Sequence, residues 1–208
     1  MWKALILAGC IVFLMYGCGS VDSGVEVFES VMLSADSKVT SLDADVIEWT
    51  ILDENNDCCD YSYIESDSAE IDIRSELVSG HNLETSSTVR IESVRIDYHP
   101  IDGLTPPLAS ESRTLGQIIE PSGAKEIGVM IVNRVQKQQL LQELFYDPLC
   151  SPECTSRPIY RYHVKLTFHG VEAVSNRKGD FTTGLTLQVS DFFDDDECKL
   201  DPASICSP

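Results

Sequence analysis

The chain has 208 residues and carries 15 Lys+Arg against 34 Asp+Glu, a formal net charge of −19. A chain this acidic repels a phosphate backbone, which argues against nucleic acid as a partner. With 43% hydrophobic and 24% charged residues it has apolar material for a core, so wholesale disorder is excluded. Its length suits one domain, or one domain with an appended segment.

The first element is apolar. Lys3 is followed by an uncharged run from Ala4 to Tyr16, too short for a transmembrane helix, which needs about 20 residues. It fits the apolar region of a secretory signal peptide. Gly17, Cys18, Gly19 and Ser20 come next, and a Gly before a Cys at the end of such a run resembles the lipobox of bacterial lipoproteins. The resemblance implies that the Cys18 thiol takes a diacylglyceryl group and that the chain is cut before it. Residues 1–17 are then a signal peptide, and 18–24 a lipidated Cys with a flexible tether to the membrane. The Leu7, Ala8, Gly9, Cys10 box matches the usual residues more closely. Only six residues precede Leu7, however, too few for an apolar helix to engage the export machinery, so Cys18 is favoured over Cys10. By the same resemblance, Gly19 in place of Asp implies the outer membrane of the cell envelope.

Beyond residue 24 the sequence predicts a single domain, 25–208, dominated by period-two alternation, the mark of half-buried strands. Strands are expected at 25–33, 46–52 and 61–64. Next, Ala69, Ile71, Ile73, Ser75 and Leu77 share one face, and Glu70, Asp72, Arg74 and Glu76 the other. The segment 88–98 changes phase between Ile91 and Val94, and a β-bulge near Glu92–Ser93 would restore one core face. Residues 99–123, with Pro100, Pro106, Pro107 and Pro121, read as a long loop, and 126–133 as a nearly all-apolar strand. Gln136 to Phe145 is the one helical stretch, a crossover whose Leu140, Leu141, Leu144 and Phe145 recur at helical spacing. From Tyr160 to His169 alternation resumes: Tyr160, Tyr162, Val164, Leu166 and Phe168 point inward, and Arg161, His163, Lys165, Thr167 and His169 outward. Leu185, Leu187 and Val189 alternate with polar residues, and an acidic tail follows.

Seven or more strands with turn-rich links predict an all-β fold, an antiparallel immunoglobulin-like β-sandwich with long loops and one short crossover helix. The segments VRIESVRIDYHPIDG (89–103) and YRYHVKLTFHGVEA (160–173) are similar to part of an immunoglobulin-like domain found in small exported lipoproteins. That resemblance brings no defined activity.

If Cys10 leaves with the signal and Cys18 is lipidated, Cys58, Cys59, Cys150, Cys154, Cys198 and Cys206 remain. An even number in an oxidising compartment reads as disulfides, and six cysteines allow 15 pairings. Adjacent Cys58 and Cys59 are poorly placed to pair with each other. The rival is zinc, since Cys150 and Cys154 have knuckle-like spacing, yet no nearby His completes the set. Haem is excluded as a covalent partner, because attachment needs C-x-x-C-H and Cys154 is followed by Thr155.

Asp53, Asn55 and Asp57 occupy the first three ligand positions of a calcium loop. Cys58 stands where Gly makes the turn, and Ile64 where a bidentate Glu is expected, which excludes an EF-hand. A looser calcium site and a solvated acidic turn both remain. Asp191, Asp194, Asp195, Asp196 and Glu197 repel one another unless a cation or basic partner compensates. His163 and His169 lie on one strand roughly 20 Å apart, too far to share a metal. No nucleophile elbow, phosphate loop, dinucleotide fingerprint or H-E-x-x-H occurs.

The expectation is a non-catalytic, membrane-tethered sandwich that presents loops to a protein partner in the envelope, without a required cofactor. The alternative is a calcium-dependent ligand- or glycan-binding module, with Tyr61 and Tyr63 as its aromatic platform.

Overall fold

The computed structural model describes residues 24–46, 49–52, 58–146 and 159–190. In chain order the elements are β1 (Glu26–Val27), β2 (Val31–Ser37), β3 (Ser41–Asp45), β4 (Trp49–Leu52), β5 (Cys58–Tyr63), β6 (Asp67–Leu77), β7 (Val89–Pro100), β8 (Glu111–Ile119), β9 (Ala124–Val132), α1 (Arg134–Tyr146), β10 (Tyr160–Glu172) and β11 (Lys178–Ser190). A four-stranded sheet, β1-β2-β6-β9, faces a five-stranded one, β3-β11-β10-β7-β8, and β4-β5 form a separate hairpin. The all-β sandwich expected from the alternation is the observed fold. The order β11-β10-β7 in one sheet, with β2, β6 and β9 in the other, follows the Greek-key logic of immunoglobulin-like sandwiches.

The pairing departs from a purely antiparallel plan in one place, where β3 runs parallel to β11 from Ser41↔Thr186 to Asp45↔Ser190. The chain crosses from the four-stranded to the five-stranded sheet after β2, so β3 reaches the β11 edge without a hairpin. Three other expectations shift. The 25–33 segment is two strands, because Phe28 turns inward and is buried between β1 and β2. Of the 46–52 segment, β4 takes Trp49–Leu52, and Val46 lies in a bend. The 99–123 segment is not all loop, since β8 forms within it and pairs with β7.

The alternation builds the core as read. Ala69, Ile71, Ile73 and Ser75 are buried on β6, and Tyr160, Tyr162, Val164, Leu166 and Phe168 on β10. Val89 and Ile91 share the core with Val94, Ile96 and Tyr98, because the β7/β10 register skips Glu92, with Ile91 opposite Gly170 and Ser93 opposite His169. The expected bulge is thus where the phase changes. Gly170 beside it is closely packed, as a Cβ there would lie 3.1 Å from Val89 Cγ1 and 3.2 Å from Phe28 Cζ, so a side chain would need these neighbours to shift.

Two aromatic pairs organise the interior. Phe168 stacks on Phe181 across β10/β11, with centroids 5.2 Å apart and planes 14° apart. Tyr98 meets Tyr162 edge-on at 6.3 Å, and the Tyr98 hydroxyl donates to the Ile131 carbonyl at 2.5 Å, joining β7 to β9 of the other sheet. Burial pushes the Tyr98 pKa up to about 12, so this hydroxyl stays protonated at neutral pH.

Helix α1 begins two residues before the predicted Gln136, and its cap explains the difference. Asn133 Oδ1 accepts from Gln136 N–H at 2.9 Å, and Gln136 Oε1 accepts from Asn133 N–H at 3.0 Å, a reciprocal capping box. Leu140 is buried as expected. Lys137 is fully buried as well, its Nζ 2.7 Å from Asp67 Oδ2 at the start of β6. That ion pair fixes the helix to the four-stranded sheet.

Candidate functional site

Strand alternation leaves each sheet with an outward face, and the two faces differ in charge. On the four-stranded sheet, outward positions carry Asp36, Glu70, Asp72, Glu76 and Glu126, with Arg74 and the turn residue Lys38 as counter-charges. Lys38 bonds both Glu70 and Glu126. The five-stranded sheet differs: its outward face carries Asp43 on β3 and Asp180 on β11, but its β7 and β10 positions are mostly basic or histidine. Register sets Arg161, His163, Lys165, Thr167 and His169 of β10 opposite Ile101, His99, Asp97, Arg95 and Ser93. Asp97 is the only acid among these outward positions. A chain of net charge −19 thereby gathers three fixed cations and three of its four histidines on one strip.

Each charge on the strip is held differently. Arg95 Nε lies 2.9 Å from Asp97 Oδ1, which also accepts from Ser110 Oγ at 2.6 Å. Partial burial pushes the Asp97 carboxyl up, but the hydrogen bonds from Ser110 and Arg95 outweigh it and hold its pKa below the usual carboxylate value. Arg161 Nε reaches Gln188 Oε1 at 3.3 Å. Its backbone is pinned by the 101–110 segment: Ile101 N–H donates to the Arg161 carbonyl at 2.9 Å, and Arg161 N–H to Thr105 Oγ1 at 3.1 Å. That segment is shaped by Asp102, whose Oδ1 accepts from the N–H groups of Leu104 and Thr105 at 3.0 and 2.8 Å. Leu104 is left 80% exposed at the margin of the strip. His169 Nδ1 lies 2.7 Å from Asp180 Oδ1.

At the far end of the sandwich Glu172 is buried and accepts from Ser30 N–H (3.0 Å), Ser30 Oγ (2.5 Å), Glu29 N–H (3.1 Å) and Ser175 Oγ (2.5 Å). Its lone pairs are spent inside the fold, so it is a clasp rather than a reactive acid.

Most residues singled out from the sequence fall elsewhere. Cys18, Cys150, Cys154, Cys198, Cys206, Asp53, Asn55 and Asp57 lie outside the described residues, and Cys58, Cys59, Tyr61 and Tyr63 belong to β5. The strand ends Asp67, Tyr160 and Ser190 stand at one end of the sandwich, since Asp67 pairs with Val132, and Tyr160 with Val189. Cys59 precedes Asp67 by eight residues, Cys154 precedes Tyr160 by six, and Cys198 follows Ser190 by eight.

Among the described residues no three His, Cys, Asp or Glu side chains gather as a metal cluster, and no helix is long and apolar enough to cross a membrane. The strip itself was missed by sequence reasoning. Its signal was the outward parity of 160–169, but the partner strand and its register were needed to complete it. No protein-family model matches the chain, and no curated protein matches it in sequence.

Proposed function

We propose that this chain is a lipid-anchored cell-envelope protein with a non-catalytic interaction role, tethered through Cys18. The outer face of its five-stranded sheet docks an acidic surface of a protein partner. The observation that carries the docking face is charge segregation: Arg95, Arg161 and Lys165 concentrate on β7 and β10 of a chain in which acids exceed bases by more than two to one. A flat sheet face with exposed cations selects acidic partners and speeds their encounter. Leu104, beside that face, supplies apolar contact. The six cysteines 58, 59, 150, 154, 198 and 206 form disulfides in this reading, an even number in an oxidising compartment.

Crosslinking in intact cells tests the docking face. A photoreactive residue in place of Lys165 is expected to capture one recurrent protein, with capture reduced by Arg161→Glu. The same residue in place of Glu76, on the opposite face, is expected to capture little. Equal capture from both faces, or none from position 165, would overturn this assignment.

A further inference from the structure

The strip contains one juxtaposition that charge alone does not explain. His163 on β10 stands directly opposite His99 on β7, and both side chains are exposed. The Ile101 N–H bond to the Arg161 carbonyl marks 161/101 as a hydrogen-bonded pair. Two residues along, 163/99 is the next such pair, with Cα atoms about 5.5 Å apart. Their Cβ atoms, on the same face, are then separated by roughly 4.5–5.5 Å. Two imidazoles at that spacing, each turning about two side-chain bonds, can bring a nitrogen to one point above the strands.

The surroundings keep both rings available. Neither imidazole makes a side-chain hydrogen bond within the described fold, unlike His169, which is engaged by Asp180. Asp97, which faces His99 electrostatically, is hydrogen-bonded to Arg95 and Ser110. Arg161 and Lys165 flank His163 along β10, and Thr186 of β11 lies on its other side.

We propose that His99 and His163 form an open two-histidine site for a divalent transition metal ion of the zinc, copper and nickel class. Imidazole nitrogen suits these ions, and two ligands leave positions for water or for a donor from another molecule. The site shares no residue with the Asp53, Asn55 and Asp57 set read from the sequence and does not depend on the docking partner.

Cu2+ titration of the full-length protein in detergent, followed by electron paramagnetic resonance, tests it, because coupling to imidazole nitrogen is read apart from thiolate sulfur. The unmodified protein is expected to bind Cu2+ with a two-nitrogen signature. His99→Ala or His163→Ala should each weaken that species about tenfold or more, while His81→Ala and His169→Ala leave it unchanged. Both substituted positions are exposed, and an unchanged Tm confirms that each variant folds. Absence of the two-nitrogen species, or its persistence in both His99→Ala and His163→Ala, would overturn the site. Loss of capture from position 165 with the copper signal intact would remove the docking assignment alone.

Discussion

Phe168→Ala is expected to lower the stability of the domain by about 4 kcal/mol, in the range for buried aromatic truncations. Phe168 is fully buried in β10, a central strand of the five-stranded sheet, directly opposite Phe181 on β11. Removing it deletes the stacked pair and opens a cavity that Gly170, two residues along the same strand, cannot fill. Phe168→Leu retains most of the volume and should cost less than half as much. Urea unfolding followed by tryptophan-independent circular dichroism measures both. A loss below about 1 kcal/mol for the alanine variant would contradict a core centred between these sheets.

Glu172→Ala is the second large effect, about 3 kcal/mol. The carboxylate is almost fully buried and accepts hydrogen bonds from two backbone N–H groups and two hydroxyls, and Ser30 Oγ in turn accepts from Ser87 N–H at 3.1 Å. Alanine leaves buried donors without an acceptor, and each costs roughly 1–3 kcal/mol when unsatisfied. Desolvation pushes the Glu172 carboxyl up, but the hydrogen bonds from Ser175, Ser30 and the backbone outweigh it, so its pKa lies below the ordinary 4.5. A carboxyl with a depressed folded pKa contributes its full stabilisation above the unfolded value and loses it as pH falls through the folded one. Stability of the unmodified protein should therefore decline as pH drops below 4.5, and Glu172→Gln should flatten that part of the profile. Equal slopes for the two proteins would show that the clasp does not hold a charged carboxylate.

Sequence patterning captured the strands whose two faces differ in polarity. In β6, β7 and β10 the inward residues are mostly aliphatic or aromatic and the outward ones mostly charged or polar, and the Glu92 bulge was legible because the phase of that alternation changes there. β8 was invisible for the opposite reason. Its inward-turned positions are Glu111, Arg113, Leu115 and Gln117, and a half-covered edge strand needs no apolar face. Arg113 and Glu111 neutralise each other at 2.5 Å, and Asn133 Nδ2 binds the second Glu111 oxygen at 2.6 Å. β3 was lost because only Leu42 and Ala44 mark its inner face.

The candidate site was less legible still. Parity told that His163 points outward, but not that His99 stands across from it, because register between strands 64 residues apart is a tertiary property. The same applies to Lys137, polar in sequence yet buried by its pairing with Asp67.

The central claim is a lipid-anchored, disulfide-bonded envelope protein, and intact mass spectrometry of the native protein from the membrane fraction tests it most directly, with thiols alkylated before and after reduction. The predicted result is a chain beginning at Cys18 with added acyl groups, whose six remaining thiols react only after reduction. A chain that retains residues 1–17 without acylation, with thiols that alkylate before reduction, would contradict it.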